Sequence, residues 1–397
     1  MQKENIVIVS GCRSAVARFN GSLKDFEATD IAGIVIKEAV KRAGLKPEQI
    51  DEVVYGCVGQ AAENAFAARL AGVKAGLPYE TTALTVNRLC SSGLQAIVTA
   101  AQEIRDGMCE IAVAGGCESM TNIPYYLRSA RFGYRMGAGN LEDGLITALS
   151  DPFTGNHMGW TAENVAKQYN ITREEQDRWA AISQERAAAA REAGKFKDEI
   201  VPIEVKVSKK ETKIFDEDEH VRPGTTVEKL AKLPAAFIKD GTVTAGNAAG
   251  INDAAAAVVV MKESKAKELG LKPLVRLVDV AAAGVDPSIM GIGPIPAFRK
   301  LLEKTGVKQE EIGLIELNEA FAAQAVACMK ELNLDESIVN VNGSGISLGH
   351  PIGATGCIIT IKLINEMIRR GVRYGVATLC IGGGQGLAVM YELCNEE

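Results

Sequence analysis

Histidine is scarce in this 397-residue chain, with three copies, and tryptophan scarcer, with two; aromatic residues make up only 5%. Any imidazole chemistry therefore falls to His157, His220 or His350. Long apolar runs are missing as well: the longest, Ala254 to Met261, is far too short to cross a bilayer. The opening MQKENIVIVS passes straight from charged residues into a strand-like run, without the basic, apolar and small-residue segments of a secretory leader. These absences predict a cytoplasmic protein that makes no use of a membrane. There is no excess of basic residues either. Forty-four Lys and Arg stand against 50 Asp and Glu, a net charge of −6, which excludes a general nucleic-acid footprint and leaves only a local basic patch for an anionic ligand. No CxxC pair occurs among the nine cysteines (12, 57, 90, 109, 117, 328, 357, 380 and 394). An odd number at scattered spacings predicts reduced thiols and no metal site.

What is present is ample core-forming material, 47% apolar residues, and a length suited to two or three domains. In ALTVNRLCSSGLQAIVTAAQEIRD (83 to 106) the first residues alternate like a short strand, after which Leu94, Ile97, Val98, Ala101 and Ile104 recur at helical spacing. Cys90 lies at the turn between the two. A thiol there meets unpaired backbone N–H groups and the positive end of a helix dipole, which favour a thiolate nucleophile; a buried structural cysteine is the alternative. The dipole contributes at most ~2 kcal/mol, so a nucleophilic Cys90 still requires a base.

Strand-like IVIVS (6 to 10) leads to a helix from about Asp30, a candidate N-cap, to Ala43, closed by Gly44. Strand EVVYGC, a helix through Phe66 to Gly72, the Cys90 unit and strand EIAVAGG (110 to 116) follow, a rhythm that predicts a largely parallel, helix-covered sheet. From Met120 to Gly250 the rhythm changes. Loops carrying Tyr125, Tyr126, Arg128, Arg131 and Arg135 precede a helix from Arg173 to about Ala193, opened by a Thr172/Glu175 capping box and ended at Gly194. The charged stretch KVSKKETKIFDEDEH then reads as a hairpin, part of an inserted cap domain or a solvated extension.

After Asn252 the earlier pattern returns. KRAGLKPEQIDEVV (41 to 54) matches EKTGVKQEEIGLIE (303 to 316), with Gly44 and Gly306 in register, and continuing that register sets Cys90 opposite His350 and brings Cys380 to the end of the matching strand. A duplicated α/β fold collects reactive groups at strand ends and helix N-termini, so the two halves can bring Cys90, His350 and Cys380 to one crevice. His350 stands before Pro351 in NVNGSGISLGHPIGATG, and Pro351 suits the first turn of the helix that follows. In CIGGGQG (380 to 386) Cys380 could act as a base and Gly382 as an oxyanion donor; the motif is a poor dinucleotide fingerprint. ELNEAFAAQ (316 to 324) offers Asn318 and Glu319 at another strand end; Asn318 could hold a water or a carbonyl, or cap the next helix.

Taken together, NRLCSSG, NEAFA, GHPIGATG and CIGGGQG closely resemble the thiolases, along essentially the whole chain. The resemblance implies an α/β thiolase fold of two duplicated αβαβα halves with mixed sheets: residues 1–120 completed by 251–272, residues 273–397, and a loop domain, 121–250, covering coenzyme A. It implies that Cys90 is acylated, that His350 activates it, and that Cys380 exchanges a proton with the α-carbon of acetyl-CoA. Asn318 would position a water that supports one oxyanion with His350, and the N–H groups of Cys90 and Gly382 would hold the other. Leu149, His157, Met158, Arg222, Phe237, Ala245, Met290, Ala320 and Phe321 would line the coenzyme A site. Ala249 stands where a serine usually contacts the pantetheine arm, and Ser91 where a glycine is usual. The expected substrates are acetyl-CoA, acetoacetyl-CoA and other short 3-ketoacyl-CoA thioesters, with no permanently bound cofactor. The Tyr125 to Met136 loop resembles the tetramerisation loop of a dimer of dimers. Within the superfamily, a decarboxylating ketoacyl synthase would place a second histidine where Cys380 stands.

GSGIS replaces the frequent GGAIA, a variant resembling β-ketothiolases of broad chain length. A five-carbon 3-ketoacyl-CoA should accordingly turn over within about a hundredfold of acetoacetyl-CoA, a window of about 2.7 kcal/mol; a larger gap in kcat/KM would mark a pocket confined to four carbons.

Overall fold

The computed structural model describes residues 4–394, and its first half is built from β1 (Ile6–Ser14), α1 (Ala28–Arg42), β2 (Glu52–Gly56), α2 (Ala67–Lys74), β3 (Thr82–Val86), α3 (Ser92–Arg105) and β4 (Ile111–Ser119). An excursion follows, holding helices α4 (Met158–Gln168) and α5 (Arg173–Glu192) and the antiparallel hairpin β5 (Ile203–Ser208) and β6 (Glu211–Phe215). The chain then returns through β7 (Asn252–Lys262) and β8 (Val275–Gly284) to α6 (Pro294–Thr305), β9 (Ile312–Leu317), α7 (Ala322–Glu331), α8 (Thr355–Arg370), β10 (Tyr374–Ile381) and β11 (Gln385–Leu393).

The main sheet runs β9-β10-β11-β8-β1-β7-β4-β2-β3. Its first half has the order β3-β2-β4-β7-β1, and the second repeats it as β9-β10-β11-β8, with Val339 bridged to Ile315 in the place of β3. The duplication inferred from sequence is thus a duplication of topology. The largely parallel sheet expected from the β/α alternation is not what forms. Pairs β2–β3, β2–β4 and β9–β10 are parallel, whereas β1–β7, β4–β7, β8–β11 and β10–β11 are antiparallel: β11 turns straight back from β10 as a hairpin, and β7 runs back along β4 after the whole excursion. The halves meet in a short antiparallel ladder, Ile6 to Leu277, Val7 to Arg276 and Ile8 to Val275.

Strand alternation divides the core into layers. Val7, Val53, Tyr55, Val113 and Val259 face α1 and α2, while Ile6, Ile8, Val54, Ala114 and Val258 face the opposite way onto α3 and α8. Leu314, Ala377, Leu379 and Val389 of the second half close on the same two helices, and Ile315, Leu317, Val376 and Met390 turn outward to α6 and α7. The result is five layers, αβαβα. α8 lies at the centre and is buried on every side from Thr355 to Ile364; it is mostly apolar, and its one charge in that span, Lys362, is paired with buried Glu316 at 3.0 Å. α3 and α8 touch through glycine. A Cβ on Gly93 would come 2.9 Å from Cys357 N, and one on Gly356 would come 2.3 Å from Leu94 N.

Several local expectations shift. Asp30 is not the N-cap of α1: Glu27 caps it and Asp30 closes the capping box at the third helical position, so the helix starts a turn earlier. β4 runs to Ser119 rather than Gly116, because its whole length is buried and paired with β7. Pro351 is not in the first turn of α8; its carbonyl instead accepts from Ala354 and Thr355 N–H in a turn that leads into the helix. The capping box at Thr172 and Glu175 forms as read, and the excursion is tied to β1 by buried Arg13, whose guanidinium meets Glu199 at 2.8 Å and Asp218 at 2.7 and 3.0 Å.

Gly356→Ala should force α3 and α8 apart and lower the stability to urea by ~1–3 kcal/mol. An unchanged unfolding midpoint would mean that the contact has slack.

Candidate active site

Cys90 lies in a short 3-10 turn, Leu89–Ser91, directly ahead of α3, and His350 lies five residues before the start of α8. The glycine contact of these two helices therefore brings their N-terminal turns together. Cys380 occupies the last turn of β10, and Asn318 follows the end of β9 with its N–H still on the ladder, donating to Thr378 O at 3.0 Å.

The imidazole of His350 is buried, 6% exposed. Its Nδ1 stands 2.7 Å from Thr355 Oγ1, and that hydroxyl donates to Pro351 O at 2.9 Å. With its proton committed, the hydroxyl accepts from Nδ1–H, which leaves Nε2 with its lone pair. Burial holds the ring down at about 4, so it is neutral at physiological pH. Asn318 Nδ2 lies 3.5 Å from Nε2, at the limit of a hydrogen bond. Its Oδ1 is buried without a partner, an acceptor free for a polar group of a bound molecule. The following helix is capped at Phe321, so the capping alternative for Asn318 falls.

Cys90 corrects one expectation. Burial pushes its thiol up to about 11, even though the N–H groups of Gly382 and of Cys90 itself pull the other way. The turn supplies donors to the sulfur but does not by itself yield a thiolate, so a base is needed. Cys380 is fully buried, and burial, followed by the neighbouring Cys90 and Cys328, drives its thiol upward as well. The site at rest thus holds two protonated thiols and a neutral base.

The remaining candidates separate among an apolar cluster at Cys380, a second at Cys90 and a cleft. Cys380 shares an apolar cluster with Met158, Phe237, Met290, Ala320 and Phe321, and Phe237 stacks on His157 at 4.9 Å while meeting Phe321 edge-on at 6.1 Å. His157 caps α4 through Nδ1, which accepts from Gly159 N–H at 3.1 Å, and burial lowers its basicity. Leu149 instead packs in the cluster around Cys90. Arg222 and Ala245 line a separate cleft of ≈ 220 Å³ with Gln184, His220 and Lys229, and no acidic side chain lines it. Ala249 joins the pocket by backbone, its N–H donating to Ala320 O at 2.9 Å.

One residue was missed from sequence, and the part played by another. Thr355 fixes the tautomer of His350, and Glu319, fully buried, gathers Trp179 Nε1, Ser183 Oγ, Asn340 Nδ2 and Ile346 N–H at 2.7–3.2 Å, binding α5 to the loop ahead of His350. Both lie inside quoted motifs, GHPIGATG and NEAFA, but nothing in their spacing marks them.

A thiol at a helix N-terminus, a neutral imidazole and a second buried thiol make a site for passing acyl groups through a thioester. Residues 6–264 match the family model described as Thiolase, N-terminal domain, and residues 271–393 that described as Thiolase, C-terminal domain. The chain belongs to the thiolase family. An acetyl-CoA acetyltransferase of Allochromatium vinosum is 53% identical over 390 residues, covering 98% of this chain and 99% of that protein. Among solved structures, the Bacillus anthracis acetyl-CoA acetyltransferase superposes with a TM-score of 0.97 at 50% identity, covering 99% of both chains. The human mitochondrial 3-ketoacyl-CoA thiolase in complex with CoA gives a TM-score of 0.95 at 45% identity, covering 99% of this chain and 98% of that one.

If Cys90 rests as a thiol rather than as half of an ion pair with His350, its alkylation by iodoacetamide should quicken by about tenfold per pH unit from about pH 7 to about pH 10. A plateau below about pH 8 would reveal a preformed thiolate.

Proposed function

We propose that the chain is an acetyl-CoA C-acyltransferase that joins two acetyl-CoA to acetoacetyl-CoA, and cleaves short 3-ketoacyl-CoA in reverse, through an acyl-Cys90 intermediate. The observation that carries this reading is the N–H pair of Cys90 and Gly382 facing one sulfur, with a second thiol, Cys380, beside it. His350 Nε2 takes the Cys90 proton as the sulfur adds to the thioester carbonyl. The C–S bond to coenzyme A then breaks, the departing thiolate takes the proton of Cys380, and the acetyl group stays on Cys90. The resulting Cys380 thiolate removes a methyl proton from the second acetyl-CoA. The enolate carbon attacks the acetyl carbonyl, and Cys90 leaves and recovers its proton from His350. Charge passes through two oxyanions: the N–H groups of Cys90 and Gly382 serve one, and protonated His350 with a donor held by Asn318 Oδ1 serves the other.

Leu149, His157, Met158, Phe237, Met290, Ala320 and Phe321 form the acyl and pantetheine walls in this reading, with Ala249 offering backbone only. Arg222 and Ala245, in the acid-free cleft, receive the nucleotide end of coenzyme A. Residues 121–250 act as the cover, between halves formed by 1–120 with 251–272 and by 273–397. Work in the cytoplasm, in fatty acid metabolism and as a homotetramer through the Tyr125–Met136 loop completes the proposal. That loop carries Phe132 and Met136 at 90% and 91% exposure, apolar surface suited to burial against another subunit. No helix among the described residues is long and apolar enough to cross a membrane.

Cys380→Ala separates the half-reactions. Acetylation of Cys90, measured as a burst of coenzyme A release, should persist, because it generates no carbanion and a thiolate of ordinary basicity, near ~8.5, departs without Cys380 and takes its proton from solvent. Condensation and solvent deuterium exchange into the acetyl-CoA methyl group should fall by ~10² to 10⁴. Equal loss of burst and exchange would end this division of labour.

A further inference from the structure

Glu118 closes β4 and has no part in the chemistry above. It is 1% exposed and forms an ion pair with no cation among the described residues. Its carboxylate is held chiefly by backbone: Oε2 accepts from Val58 N–H at 3.1 Å and Gly353 N–H at 2.9 Å, and Oε1 from Gly59 N–H at 2.9 Å, with the Cys57 thiol donating to Oε1 over a longer 3.9 Å. These donors come from two pieces of chain that matter to the site. Val58 packs in the apolar cluster around Cys90. Gly353 belongs to the turn between His350 and Thr355, the hydroxyl that orients the imidazole. The fit is tight, since a Cβ on Gly353 would lie 2.7 Å from Oε2 and 2.4 Å from Cys117 O.

An anion kept out of water costs several kcal/mol unless donors replace its hydration, so a purely structural tie would be made more cheaply by a neutral side chain. We infer that Glu118 is a positioning residue for acyl transfer: its ionised carboxylate clamps the His350 turn to the loop behind Cys90 and so sets the imidazole against the thiol. The inference rests on the acyl-transfer reading above. Burial lifts the Glu118 carboxyl to about 7, against the pull of the three N–H groups, so its proton is gained within the working range. Other titratable groups face it as well: Asp253 from β7 raises it further, Cys57 Sγ stands 3.9 Å from Oε1, and Cys90 feels its charge. Protonation would set a hydroxyl where an N–H now donates and loosen the turn.

Glu118→Gln tests this, because an amide has the same shape but must turn an NH₂ toward one of the three donors. Kinetics of acetoacetyl-CoA thiolysis, normalised to active sites counted by the acetylation burst, should show kcat lowered by about tenfold or more with KM held within about threefold. The wild-type kcat should decline as pH falls through about 7, and that limb should be absent from the variant. Wild-type kcat per site in the variant, or an acid limb that survives the substitution, overturns the inference. Should Glu118→Gln fail to fold, Glu118→Asp, which keeps the charge one methylene further away, is read by the same kcat criterion. A wild-type enzyme inert toward acetoacetyl-CoA would instead defeat the functional reading, and iodoacetamide alkylation of Cys90, which uses no substrate, would still report the loss of the anion as a downward shift of the thiol in Glu118→Gln.

Discussion

The site exists because α3 and α8 approach closer than side chains permit. Gly93 and Gly356 meet where a single methyl would collide with backbone, at 2.9 and 2.3 Å. Each helix carries at its N-terminal side one group of the candidate site, Cys90 or His350, so the spacing of the proposed nucleophile and base follows from the packing of two helices. The five layers serve that contact. Sheet faces from both halves press on the same helix pair, and α8, mostly apolar over its buried span, belongs at the centre.

Burial of this pair has an electrostatic consequence. His350 is held neutral, and both thiols are held protonated. None of these three groups is charged in advance, so in the proposed cycle their charges are created by proton transfer when substrate arrives, with fixed N–H groups waiting where the charge would develop. Coenzyme A would meet a different environment at its other end, in a cleft with Arg222 and Lys229 and no acid on its walls. The thiols and the imidazole are thus kept neutral while that cleft is cationic, although the chain as a whole is acidic.

Much of this was legible in sequence because motif and period agreed. The apolar residues of α3 at 94, 97, 98, 101 and 104 are all buried, and the repeat of KRAGLKPEQIDEVV predicted a topological duplication that the strand order bears out. Cys90, His350, Asn318 and Cys380 do lie at strand ends and helix starts. What failed to show depended on tertiary context. Antiparallel β7 and β11 read like any buried strand, since a strand carries no mark of its neighbour's direction. The acidity of Cys90 was misread because a local argument from the helix dipole omitted burial, the larger effect here. Thr355, the contacts of Glu319 and the separation of the pocket residues required the folded chain, because hydrogen bonds between a strand end, a loop and a helix of the excursion leave no periodic trace.

The place of β7 in the sheet bears on how the chain can be made. β7 is central to the first half, pairing with both β1 and β4, yet it is encoded after the whole excursion. A ribosome must therefore release roughly 130 residues beyond β4 before the first half can close, and until then two long apolar strands keep open edges. The excursion is thus also a delay, and its buried tether from Arg13 to Glu199 and Asp218 lies on the stretch of chain synthesised during that wait.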